Sequence, residues 1–147
     1  MVDDLVYRQP KSVYEAKFSM NFLAALALCE KEVSLEHLVE EKLGDPRIRK
    51  LMKKVILSVD TEMAQEGYRG TWGAKVKVKM KDGSEFSGQV DSPRGQPEDP
   101  MSPHQLIGKY RRCARYVLSE ERINQSLDWI THLEELEDIS SLMSVVA

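Results

Sequence analysis

SVYEAKFSMNFLAALALCEK, residues 12–31, is the stretch whose reading decides the fold. Ser12 and Glu15 stand in S-x-x-E spacing, a capping box that satisfies orphan amides at a helix start. Tyr14, Phe18, Phe22 and Leu26 recur four apart, so they share one helical face. Leu23, Ala24, Ala25, Ala27, Leu28 and Cys29 widen that stripe until almost no polar face remains. A helix apolar nearly all round is buried on several sides. The spacing therefore predicts one central helix, Ser12 to Lys31, with the other elements packed around it. It is too short, and too charged at its ends, to span a bilayer.

Working outward, Ser34 reads as the cap of a helix with Leu35, Leu38, Val39 and Leu43 on one face. Gly44, Asp45 and Pro46 read as helix stop, N-cap and first residue of the next helix. That helix shows Ile48, Leu51, Met52 and Val55, with bases outside. Val55, Leu57 and Val59 then alternate with Ile56, Ser58 and Asp60, which predicts a strand. Glu62 to Thr71 has two glycines and no periodicity and reads as a loop. Upstream, Val2 to Tyr7 reads as a short strand leading to Pro10.

The clearest hairpin is Ala74 to Val90, where Ala74, Val76, Val78 and Met80 alternate with Lys75, Lys77, Lys79 and Lys81. A two-residue Asp82-Gly83 turn would put the two strands' apolar sets on opposite faces. A three-residue loop, Lys81-Asp82-Gly83, pairs Val78 with Phe86, Ala74 with Val90 and Lys79 with Glu85. It also sets Gly83 at the left-handed position of a bulged turn. Asp91 to Met101, rich in proline, is an extended loop. Ser102, Pro103 and Gln105 give a second capping box, for a helix to about Leu118 with Leu106, Ile107, Tyr110, Ala114 and Val117 inward. Ser119 caps another, with Ile123, Leu127, Ile130 and Leu133 inward, and a short helix follows around Ile139 to Val145. Helices, then strands, then helices argue an α+β fold with a small antiparallel sheet packed by helices.

The 147 residues suffice for a real core. The net charge of −3 hides a split: residues 1–118 hold 20 Lys+Arg against 17 acids, residues 119–147 one against seven. The expected organisation is an α+β domain over 1–118 and an acidic helical tail over 119–147. No stretch reads as a signal peptide or membrane span. Cys29 and Cys113 lack metal-ligand spacing, and a reduced, cytoplasmic setting is the default.

His37, His104 and His132 stand in no ligand spacing, so capping or surface roles are preferred; no metal and no cofactor is expected. No phosphate loop, dinucleotide fingerprint or nucleophile elbow is present. The ladder Lys75, Lys77, Lys79, Lys81 and the cluster Lys109, Arg111, Arg112, Arg115 around Tyr110 are basic. The acidic whole argues for solvated faces, with no nucleic acid and no membrane as partner. A small anionic ligand would meet Tyr7, Lys17, Ser19, or Arg94 beside Gly95, whose guanidinium suits a carboxylate. An ordinary loop arginine at Arg94 and a helix-lining hydroxyl at Ser19 stay open. No residue is assigned as catalytic. A stand-alone interaction or dimerisation module, and a nucleic-acid-binding module, are the alternatives.

Several motifs come in an order that resembles the carboxy-terminal domain of the MmgE/PrpD family. They are Pro10 with Glu15-Ala16-Lys17-Phe18-Ser19 and the alanine-rich helix, Leu43-Gly44-Asp45-Pro46, and Lys54-Val55 leading to Asp60. Lys81-Asp82-Gly83 follows, then Pro93-Arg94-Gly95, Pro97, Pro100, Ser102 and Lys109-Tyr110, where the family usually has Phe for Tyr110. Leu133-Glu134 and Leu136-Glu137-Asp138 close the series. The resemblance implies a lid-type α+β domain of lyases and isomerases that act on small di- and tricarboxylates. Members include 2-methylcitrate dehydratase, cis-aconitate decarboxylase and an iminodisuccinate epimerase. It implies proton abstraction next to a carboxylate, without an obligatory metal, by groups that would lie upstream of Met1. This chain alone is then expected to be a fragment or split subunit without a complete catalytic site. Its expected partners are a small carboxylate and either a second copy or a helical subunit. Tyr7 lies near where the family can place an active-site tyrosine.

Overall fold

The computed structural model describes Leu5 and residues 7–65 and 73–147, and divides into two compact units, Met1–Pro93 and Arg94–Ala147. The architecture is α+β. The charge change at Ser119 falls inside the second unit.

In the first unit the expected central helix is broken in two, α1 (Val13–Lys17) and α2 (Met20–Glu30). Ser12 Oγ accepts from the Glu15 amide at 3.2 Å, whereas the Glu15 carboxylate takes the Lys11 amide, at 2.7 Å. Phe18 leaves the helical region at φ −110°, ψ 27°. Ser19 then starts afresh in extended conformation, its Oγ accepting from the Phe22 amide at 3.1 Å. Serine competes with the helix ladder for nearby amides, which is why it breaks one helix and caps the next. The break shifts the phase of the apolar stripe. Phe22 and Leu26 are fully buried, while Tyr14 and Phe18 are 66% and 39% exposed and lean on each other with ring centroids 5.3 Å apart. Lys31 ends α2 in the left-handed region, at φ 68°.

The predicted helix after Ser34 is likewise two pieces, a 3-10 turn at Leu35–His37 and α3 (Glu40–Gly44). Asp45 caps α4 (Pro46–Met52), with proline at its first turn. The core joins Ala16, Phe22, Ala25 and Leu26 to Leu43, Ile48 and Met52. The alanines let α2 and α4 approach closely, and α4, not the hairpin, is the main partner of α2. Residues 55–60 form no regular element and pair with no strand among the described residues, so the strand expected there is absent. The start of the loop expected from Glu62 is instead part of a short helix, α5 (Thr61–Gln65), because Asp60 Oδ1 accepts from the amides of Glu62 and Met63, each at 3.0 Å. The rest of that expected loop, and most of the strand expected at Val2 to Tyr7, lie outside the described residues.

Strands β1 (Ala74–Lys79) and β2 (Glu85–Val90) pair antiparallel in the expected register, Ala74 with Val90, Val78 with Phe86 and Lys79 with Glu85. The loop has the expected length, since Met80 donates to Ser84 O and Gly83, at φ +89°, donates back to Met80 O. Asp82 fixes it by accepting from the Ser84 amide at 2.9 Å. Both faces of the ribbon meet solvent, Phe86 being 62% exposed.

The second unit is α6 (Pro103–Ala114), α7 (Glu120–Thr131), a 3-10 turn at Leu133–Glu135 and α8 (Ile139–Val146). Ser102 and Gln105 form the reciprocal capping box, and Ser119 caps α7. Buried Ser126 donates to Ile123 O at 3.0 Å and meets Tyr110 Oη at 2.6 Å, joining α7 to α6. Arg122 fastens α8 by donating to the carbonyls of Ser144 and Ala147 at 2.9 and 3.1 Å. The inward sets are only partly realised. Ala114 and Ile123 are buried, but Leu106, Val117, Ile130 and Leu133 stay exposed.

Phe22→Ala is expected to cost about 3–5 kcal/mol, the cost of emptying a packed aromatic site. Phe18→Ala is expected to cost ~1 kcal/mol, because only a surface ring pair is lost. Thermal denaturation by circular dichroism reads both, and equal losses would refute the phase shift at Ser19.

The end of α2 and the start of α4 share a charge network. Lys42 pairs with Glu30 at 2.7 Å and Arg47 with Asp45 at 2.7 Å. The Arg47 guanidinium, with its own amide, holds the Asp45 carboxyl at about 2 instead of 3.8, and Lys42 holds Glu30 below 4.5. Both carboxyls are depressed on folding, so their contribution is complete above the unfolded values and lost as pH falls through the folded ones. An acid titration of helical ellipticity should show a loss between pH 4.5 and about 2, with less of it in Asp45→Asn. High salt should shrink the difference, since Arg47 is 70% exposed. Superimposable curves for the two proteins would show that the pair contributes nothing.

Candidate functional site

Three of the four expected ligand contacts meet at the junction of α1 and α2. Tyr7 is half-buried, and its amide donates to Phe18 O at 3.3 Å, so the incoming chain runs beside the break. Lys17 is the last residue of α1 and is exposed, a favourable end of a helix for a cation. Ser19 is fully buried, and its hydroxyl oxygen holds the Phe22 amide. The junction thus presents one ammonium to solvent over a backbone turn fixed by a buried cap. Arg94 belongs to the second unit and is exposed. Its backbone is set by Gly95, at φ +101°, whose amide donates to Asp99 O at 2.7 Å while Asp99 donates to Gln96 O at 3.0 Å. Only glycine takes that conformation without strain.

Asn21 was not singled out by sequence reasoning. Buried in the first turn of α2, it donates through Nδ2 to the carbonyls of Met52 and Val55, at 3.4 and 3.0 Å. It satisfies two carbonyls where α4 ends and ties that end to the α1–α2 junction. A lone amide inside an otherwise apolar run was the available signal.

The second unit carries a groove of about 450 Å³ between α6, α7 and α8, lined by apolar residues such as Val117, Ile130, Met143 and Val146. Beyond α7, an open cleft of about 390 Å³ is bordered by Asp128, Trp129 and His132. His132 Nδ1 donates to Asp128 O at 2.9 Å, and that carbonyl raises the imidazole pKa above 6.5. Among the described residues no three His, Cys, Asp or Glu side chains come together as a metal-binding group. No described helix is long and apolar enough to cross a membrane.

The chain supplies cations on fixed turns. Such groups bind carboxylates and stabilise charge that develops beside them. The model of the MmgE/PrpD C-terminal domain matches residues 2–133. The chain belongs to the MmgE/PrpD family. Its similarity to curated members runs nearly end to end. The cis-aconitate decarboxylase of Aspergillus terreus is 29% identical over 140 residues, covering 94% of this chain and 28% of that protein. Those of Mus musculus and Homo sapiens are each 26% identical, covering 90% and 93% of this chain and 27% and 28% of theirs. The chain therefore spans less than a third of the length of these relatives.

Ser19→Ala should cost about 1–2 kcal/mol, by loss of a buried cap. Lys17→Ala should stay within about 0.5 kcal/mol, as exposed substitutions do. Urea denaturation checks the pair, and an unchanged midpoint for Ser19→Ala would remove the cap from the account of the junction.

Proposed function

We propose that this chain is the carboxy-terminal domain of an MmgE/PrpD-type lyase or isomerase acting on a small di- or tricarboxylate, with cis-aconitate the first candidate. The observation that carries the reading is the match to cis-aconitate decarboxylases along 94% of the chain. Decarboxylation, dehydration and epimerisation of such acids share one demand. Negative charge develops next to a carboxylate and needs cations to hold it, and proton transfer needs a positioned acid or base. Lys17 and Arg94 are our candidate carboxylate contacts. Tyr7 is a candidate hydroxyl donor, and Ser19 sets the turn that carries Lys17. The base and its orienting partner are placed in protein beyond these 147 residues. The domain then acts as a cover that excludes water from a site completed elsewhere. The apolar groove of the second unit supports a domain that works against further protein, a helical subunit or a second copy.

The test follows turnover of cis-aconitate and 2-methylcitrate by the purified chain, together with NMR titration by the same acids. No turnover is expected, with shifts centred on Lys17 and Arg94. Lys17→Ala should weaken binding about tenfold, worth ~1.4 kcal/mol. Turnover by the chain alone, abolished by changing Tyr7 or Lys17, would overturn the incomplete-site reading. Titration shifts that bypass both cations would overturn their assignment.

A further inference from the structure

Three donors converge on one carbonyl oxygen at the end of α7. The Asp128 carbonyl accepts from the His132 amide at 3.1 Å, from Thr131 Oγ1 at 3.0 Å and from His132 Nδ1 at 2.9 Å. A carbonyl oxygen has two lone pairs, so three donors compete for it, and a charged donor competes best. The other neighbours of Nδ1 are oxygens as well. Thr131 Oγ1 lies at 3.4 Å, its own proton already given to the Leu127 and Asp128 carbonyls, and Asp128 Oδ1 lies at 3.5 Å. A bare nitrogen lone pair has no place among these oxygens, so Nδ1 carries a proton.

The ring stands at a hinge. His132 leaves the helical region at φ −128°, ψ 41° and ends α7. Its carbonyl accepts from the Glu135 amide at 3.0 Å and so begins the 3-10 turn. That turn leads to Asp138, the cap of α8. The charges that act on the ring are acidic: Asp128 from α7, Glu135 and Glu134 from the turn. α8 has no titratable side chain. Arg122 is engaged with the carbonyls of Ser144 and Ala147, and Arg111 of α6 with Glu120 and Asn124, toward the start of α7. The His132 side chain is 54% exposed and borders the open cleft beside Trp129, so solvent protons reach it.

We propose that His132 is a proton-operated latch between α7 and the acidic turn that follows it. Protonated, the imidazolium donates to the Asp128 carbonyl and sets its charge at the negative end of α7, among three carboxylates. Loss of the Nδ1 proton would leave a lone pair facing that carbonyl. Loss of the other ring proton keeps the bond and removes the charge. Either way the last turn of α7 is held less firmly. The Asp128 carbonyl, then the carboxylates of Asp128, Glu135 and Glu134, hold the imidazole above 6.5. A raised value means that the stabilisation is complete below the unfolded value of 6.5 and is lost as pH rises through the folded one. The latch does not depend on the carboxylate chemistry proposed for the chain.

A pH titration of the whole chain by NMR decides it, with the His132 ring and the α-carbon shifts of Trp129, Ile130 and Thr131 read together. The ring should titrate above its midpoint in the same chain unfolded in urea. The ratio of closed to frayed last turn should fall about two- to fivefold through the folded midpoint, the range for a charge at a helix end. Asp128→Asn should lower the midpoint and keep the helix, and high salt should shrink the step. His132→Gln should abolish the step. A folded midpoint no higher than the unfolded one would overturn the latch. So would α-carbon shifts that stay flat while the ring titrates, or a step that persists in His132→Gln.

Discussion

A buried serine hydroxyl cannot be left without a hydrogen bond, and at Ser19 that demand sets the phase of the first unit. Its oxygen takes the Phe22 amide, which ends one helix and begins the next. Restarting the helix there, rather than running it through from Ser12, turns Phe22, Ala25 and Leu26 toward Ile48 and Met52. It leaves Tyr14 and Phe18 on the outside, where their rings can only meet each other. The turn also brings Asn21 to the carbonyls at the end of α4. The most extensive contact among the described helices of the unit is therefore arranged by two polar side chains that have no solvent to fall back on.

Short helices make such side chains decisive. Of the described helices in the first unit, α1, α3 and α5 have five residues each and α4 has seven. Helices of that length do not persist alone, because nucleation is not repaid by so few ladder bonds. Caps at Ser12, Ser19, Asp45 and Asp60 satisfy the first amides, and burial of one apolar face supplies the rest. The second unit follows the same logic with longer helices. Ser126 and Tyr110 join two of them through hydroxyls, and Arg122 collects carbonyls at the end of α8.

Features with a local cause were legible in the sequence. The hairpin register follows from a two-residue side-chain period and one glycine, so the residues alone set Val78 opposite Phe86. The caps at Asp45, Ser102 and Ser119 are equally local. The break at Ser19 was not legible, because four-residue spacing counts side chains and is blind to a backbone that stops and restarts. Burial was legible only in part. Periodicity says which residues share a face, not what lies against it, and so Val117 reads as inward yet stands exposed, as does Phe86 on the apolar face of the hairpin. Lys17 and Arg94, one in each unit, were visible as cations in a suitable setting. Asn21 acts through carbonyls more than thirty residues away, a relation that no spacing rule contains.

The two candidate cations illustrate how binding and proton transfer place different demands on a fold. A carboxylate contact needs charge at a fixed position, and an exposed lysine beside a capped turn meets that need at little cost in desolvation. A general base needs a shifted pKa, which takes burial or a close partner and therefore a more enclosed setting. Lys17 and Arg94 are both exposed, and each owes its position to backbone geometry, the break after Phe18 in one case and the left-handed Gly95 in the other. Short capped helices and tight loops can provide the first kind of group without a deep pocket. The second kind requires a more enclosed setting than either exposed cation has. The division of labour in our proposal, charge from this domain and proton transfer from elsewhere, follows from that difference in what each group needs around it.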